Sequence, residues 1–95
     1  MTRIKIKRLI WDDWNKEHIT KHGVTENEAE MVGNSFIYHQ RSYNQRYLVV
    51  GRVGPRIVSL VLAREGSGQY YVVSARDADK KERRKLYEKE KKQNS

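Results

Sequence analysis

His18 and His22 stand four residues apart in the stretch from Trp14 to His22. A helix there would bring two imidazoles, the Trp14 indole and the Lys21 ammonium near one face. Such groups can cut RNA without a metal. One takes the proton of a 2′-hydroxyl, cations stabilise the charged phosphorane, and another protonates the departing 5′-oxygen. Two other readings compete for the same residues. Histidines at this spacing can hold zinc, but Ile19 stands where a catalytic zinc helix has Glu, Lys21 adds repulsion, and the chain has no cysteine to complete a ligand set. Alternatively, His18 packs on Trp14 and His22 bonds a carbonyl at the helix end, merely closing a corner. No metal and no cofactor is expected.

Arginine suits a phosphorane because its planar fork donates two bonds to two phosphate oxygens and keeps its charge. Arg64 closes the longest apolar run, and Arg76 follows Val72-Val73-Ser74-Ala75. Both are expected near strand ends. Arg76 is expected to be mostly exposed, with at most a surface pair to Asp77 or Asp79, so that replacing it should hardly change folding. Tyr38, Tyr43, Tyr47, Tyr70 and Tyr71 interleave with Arg41, Arg46, Arg52 and Arg56. Such mixtures can stack bases and clamp phosphates, or form ordinary cross-strand pairs. There is no Gly-rich phosphate loop before a helix, no Gly-x-Ser-x-Gly elbow and no convincing Ser-His-Asp arrangement.

The elements that must position these groups follow from patterning. Ile4, Ile6 and Ile10 share one parity, predicting a strand over 3–11. Asp12 or Asp13 can cap a helix over 14–22 that stops at the left-handed glycine Gly23. Thr25-Glu26-Asn27-Glu28 is a capping-box pattern, predicting a helix from Glu26 to about Val32 that ends near Gly33-Asn34. Four β-branched or aromatic runs follow, at 36–38, 47–50, 57–62 and 70–73. Ser42-Tyr43-Asn44, Gly54-Pro55 and Gly66-Ser67-Gly68 separate them, which predicts an antiparallel meander. Residues 79–92 are helix-prone, with Leu86 as their aliphatic anchor. The order β-α-α-β-β-β-β-α predicts an α+β fold, its helices packed on one face of a largely antiparallel sheet. One domain is expected over 1–95, with 79–95 a basic C-terminal helix or partly flexible tail.

The chain has 95 residues and a net charge of +8. Residues 1–8 hold four cations and no acid, residues 76–95 hold nine cations against five acids, and the middle is balanced. Excess charge at both ends attracts polyanions through phosphate contacts and counterion release, although a charge run can equally be a solvated surface. The absence of cysteine suits a reducing compartment, and no signal or membrane span is legible, so a cytoplasmic location is expected.

Trp11-Asp12, Lys21-His22-Gly23-Val24, the Glu28-Ala29 helix, Arg46 at a strand entry, and Val73-Ser74-Ala75-Arg76-Asp77-Ala78 leading into Lys81-Glu82-Arg83-Arg84 and Tyr87 occur in this order. The pattern resembles the BrnT-type toxins of the RelE superfamily across nearly the whole chain. The resemblance implies a compact RelE-like fold and an endoribonuclease that blocks translation as the toxin of a type II toxin-antitoxin system. It also implies RNA and a ribbon-helix-helix antitoxin like BrnA as partners, with the ribosome a further candidate. Carried over, it points to Lys21, His22, Arg64 and Arg76 as catalytic positions. His18, Arg46, Arg52, Lys80 and Lys81 are then candidate RNA contacts. The chain departs from the pattern at His18, where such sequences typically have Asn. The competing function is a non-catalytic RNA- or DNA-binding module, a decayed toxin that still binds an antitoxin-like partner.

Overall fold

In the computed structural model, which describes residues 4–93, the order is β1 (Arg8–Ile10), α1 (Asp13–Lys21), α2 (Glu26–Ser35), β2 (Tyr38–Arg41), β3 (Arg46–Val53), β4 (Arg56–Gly66), β5 (Gln69–Asp77) and α3 (Lys80–Gln93). One five-stranded sheet runs β1-β5-β4-β3-β2. β2 to β5 form the expected antiparallel meander, and β1 adds to β5 in parallel.

Alternation along the strands divides the sheet into two faces. Val49, Leu60 and Ala75 lie in one register row and sit in the larger core with Ile19 of α1 and Ala29 and Val32 of α2. Val50, Ser59 and Arg76 occupy the next row and point the other way. There Leu86 of α3 packs with Tyr38, Leu48, Val50, Ile57 and Ala78. The third helix therefore covers the face opposite the first two, contrary to the one-face expectation. A helix with one buried aliphatic side chain needs only a small apolar hollow, and the second face provides it.

Several boundaries differ from the pattern, β2 for instance running Tyr38–Arg41 and not from Phe36, and two of them bear on the packing. β1 has three residues because the Lys7 and Arg8 amides both donate to the Gly68 carbonyl, at 2.8 and 3.0 Å. This bifurcation interrupts the alternation and makes Leu9 the buried member. Residues 1–3, part of the predicted strand, lie outside the described residues. α2 continues to Ser35, three residues beyond Val32. Gly33 is not its stop but a point of close approach, since a Cβ there would come within 3.0 Å of the Leu9 side chain.

Candidate RNA-processing site

Local chemistry fixes α1 at both ends. The Asp12 carboxylate accepts from the Asn15 amide at 2.9 Å, and the Asn15 side chain accepts from the Asp12 amide at 2.8 Å. The buried Asn15 side-chain NH2 also donates to the Ile10 carbonyl at 2.9 Å and the Val72 carbonyl at 3.0 Å, which ties the helix to β1 and β5. At the other end the Val24 amide donates to Ile19 O and the Gly23 amide to Thr20 O, with Gly23 at φ 76°. This Schellman turn makes His22 the cap and buries Val24 with Ile19.

A rigid α1 displays the ladder that the spacing suggested. Trp14, 58% exposed, stacks on His18 at 4.7 Å and 10° between planes. His18 meets His22 edge-on at 5.1 Å. Lys21 and His22 are exposed beside it, at the helix end whose dipole favours cations. Among the described residues no three His, Asp or Glu side chains converge as a metal would require.

The exit of α1 lies over Arg56. A Cβ on Gly23 would be 3.7 Å from the Arg56 guanidinium, which bonds Asp77 at 2.5 Å and both Glu28 oxygens at 3.1 Å. Glu28 is held below the usual carboxylate range by the Thr25 amide, with Arg56 adding to the effect against partial burial. Arg56 therefore joins α2, β4 and β5 beneath Gly23. Sequence reasoning gave it only a place among the meander arginines.

Arg76 belongs to the same end of the sheet but to its other face, and it is only partly open to solvent. Its side chain is 41% exposed, and both guanidinium branches donate to Glu82, at 2.8 and 2.9 Å. Glu82 is 8% exposed and also accepts from the Ser59 hydroxyl at 2.8 Å and the Asp79 amide at 2.9 Å. Burial pushes its pKa up, but Arg76, Asp79 and Ser59 outweigh that and hold it low. Tyr38, whose hydroxyl donates to the Glu82 carbonyl, is pushed up to about 12 by burial and the nearby carboxylates. The expected surface pair with Asp77 or Asp79 is thus replaced by a half-buried fork to Glu82. Asp79-x-x-Glu82 is itself a capping box, because the Glu82 amide donates back to Asp79 at 2.8 Å. That spacing is a local signal of the kind that marks α2; the Ser59 contact, 23 residues away, has none.

The other candidates divide between two ends. Lys80 and Lys81 open α3 beside Arg76 and are exposed. Arg52 lies one row from that end, bonded to Glu90 at 2.6 and 2.9 Å and placed over the Tyr87 ring. Arg64 does not join Arg76. It pairs with Tyr70, five β4 residues from Ser59, the partner of Arg76, a separation of about 17 Å. Arg46 is also at that far end, opposite Ala63 and over the Tyr43 ring.

A five-stranded, mostly antiparallel sheet with helices on both faces places the chain in the α+β class. Among solved structures it is similar to the crystal structure of the Brucella abortus ribonuclease toxin BrnT, with a TM-score of 0.61 and 23% identity. The match covers 77% of this chain and 97% of that one, so the shared feature is a whole fold of the kind the resemblance implied. No protein-family model matches the chain, and no curated protein does.

Proposed function

We propose that the chain is a metal-independent endoribonuclease, the toxin of a type II toxin-antitoxin pair, which cuts RNA and so blocks translation. The observation that carries this reading is the exposed Trp14–His18–His22 ladder, ending beside Lys21 at the Arg56 and Arg76 end of the sheet. The indole offers a base-stacking surface. His22 takes the 2′-hydroxyl proton as that oxygen attacks the phosphorus. Lys21 at the helix end stabilises the phosphorane, Arg76 and Lys80, on the other face at the same end of the sheet, hold the flanking backbone, and His18 or Lys21 returns a proton to the departing 5′-oxygen. The products are a 2′,3′-cyclic phosphate and a 5′-hydroxyl. Fold likeness to a ribonuclease toxin supports the same reading. The antitoxin is taken to be a ribbon-helix-helix protein.

The test is purified protein incubated with single-stranded RNA in EDTA, with product ends determined, beside growth of cells induced for wild type and His22→Ala. Cleavage and growth arrest by wild type alone are expected. Intact RNA and unaffected growth in both would sink the proposal. A second reading, a non-catalytic nucleic-acid-binding module, is favoured by one fact: both branches of Arg76 are already bonded to Glu82. Under it, wild type retards RNA in a gel and leaves it uncut.

A further inference from the structure

The far end of the sheet holds a second set of cations in a different state. Arg52, Arg56 and Arg76 are each paired with a carboxylate. Among the described residues, Arg41, Arg46 and Arg64 have no carboxylate partner. All three lie at the end of the sheet where the β2–β3 turn meets the β4–β5 turn, Arg41 and Arg64 on the Tyr47 side and Arg46, of opposite parity, on the other. Arg41 and Arg64 line an open depression of about 430 Å³, together with Gln45, Ser67 and Glu65, over the Tyr47 ring. Arg41 lies over that ring at 5.9 Å, and Arg64 makes a long contact, 3.4 Å, to the Gly66 carbonyl. Among the described residues their remaining N–H donors have no protein acceptor, and the cavity has the size of a small-ligand site.

The turn that builds the rim is strained. Asn44 and Gln45 both have positive φ, 53° and 60°, a conformation that residues with a Cβ adopt at a cost. This backbone lifts Tyr43 to 66% exposure with the Arg46 guanidinium over its ring at 5.9 Å. An exposed aromatic backed by a cation, two residues from Arg41 along the turn, can stack a base while the guanidinium groups with donors to spare hold a neighbouring backbone phosphate.

We propose that these two turns form a second RNA contact, remote from the cutting end. In it Arg41 and Arg64 hold a phosphate over the depression, and Tyr43, supported by Arg46, stacks an unpaired base. The proposal rests on the reading that the chain acts on RNA. It gives Arg64 a binding role in place of a catalytic one, and it makes the molecule grip its substrate at both ends of the sheet. Glu65, on the same rim, is a lone anion against two cations there and disfavours any second phosphate.

The test measures binding of a single-stranded RNA of about twelve nucleotides by fluorescence anisotropy. A His22→Ala background keeps the RNA whole. Arg41→Gln with Arg64→Gln should raise Kd at least about tenfold and lower the slope of log affinity against log salt by about 0.7 for each phosphate no longer neutralised. Tyr43→Ala should raise Kd about fivefold or more with the slope unchanged, while Tyr43→Phe binds as the parent does. The pair Lys89→Gln and Lys91→Gln removes equal charge from the basic C-terminal helix, where it acts only at a distance, and should raise Kd by clearly less than the double-arginine variant does. All variants should keep the parent circular dichroism, since the altered side chains are exposed or line an open rim. A double-arginine variant no weaker than the lysine pair, or Tyr43→Ala equal to Tyr43→Phe, would overturn the contact. Wild-type RNA left uncut overturns the proposed cleavage but not this result, because binding is measured without cutting.

Discussion

Arg76 and Glu82 form a partly buried pair whose structural contribution and proposed part in cleavage can be measured separately. Glu82 is buried and has four donors on its carboxylate, so shortening Arg76 leaves a buried charge poorly compensated. Arg76→Lys keeps the charge and loses the fork, which should cost about 1–2 kcal/mol, less than for a fully buried pair because the guanidinium is partly exposed. Melting should fall by about 4–16 °C, and cleavage, measured at a temperature where the variant is folded, by roughly ten- to a hundredfold. His22→Ala provides the contrast, since an exposed cap residue should leave the melting temperature nearly unchanged while abolishing cleavage. If Arg76→Lys melts as wild type, the Glu82 fork carries little stability. The pH dependence has a definite sign. The folded-state pKa of Glu82 lies below its ordinary 4.5, so its contribution is fully present above that value and is lost as pH falls through the lower, folded one. Glu82→Gln should be less stable at neutral pH, yet lose less on acidification from about pH 6 to 3, as urea midpoints would record.

The first helix positions the ladder, and its anchor is Asn15. Asn15→Ala removes the cap contact and two bonds to the Ile10 and Val72 carbonyls, costing about 2–3 kcal/mol. Denaturant titration should give that figure, and a loss under about 1 kcal/mol would mean that packing alone holds the helix. At the opposite end, Gly23→Ala should cost about 1 kcal/mol, because φ is 76° while the added Cβ meets only an ordinary 3.7 Å contact with Arg56. α3 depends on Leu86, fully buried among the second-face residues. Leu86→Ala should cost about 2–3 kcal/mol, the low end for a buried leucine because the hollow is small. A drop in helical circular dichroism with sheet signal retained would assign that cost to α3 alone.

For the molecule as a whole, the charge excess near both termini predicts that RNA binding weakens steeply between low and physiological salt. A flat affinity would remove the electrostatic argument. EDTA should leave cleavage intact, and activity restored only by a divalent ion would overturn the mechanism. If the proposed function holds, an antitoxin should lay an acidic or amphipathic segment over the first helix and the Arg76 end, excluding RNA by charge neutralisation and sterics. Competition binding checks this. Partner and RNA bound together with unchanged affinities would place the antitoxin elsewhere.

Whatever depends on near neighbours is legible in the amino-acid order. Capping pairs, the left-handed Gly23, the β-branched runs and the i, i+4 imidazoles act over a few residues, so α1, the start of α2, the meander and the aromatic ladder follow from it directly. Strand register and the face that each element covers are set only when distant segments meet. A single bifurcated contact at Gly68 shortens β1 and changes its buried parity. Gly33, a stop by local rule, lies inside α2 because Leu9 needs its missing side chain. Arg64 and Arg76 look alike in the sequence, each after an apolar strand, yet the hairpin sets them about 17 Å apart along the sheet. Arg76 then finds Glu82, and Arg64 finds an open rim shared with Arg41. A strand's length sets a side chain's reach, but only the pairing of strands determines which distant groups it meets.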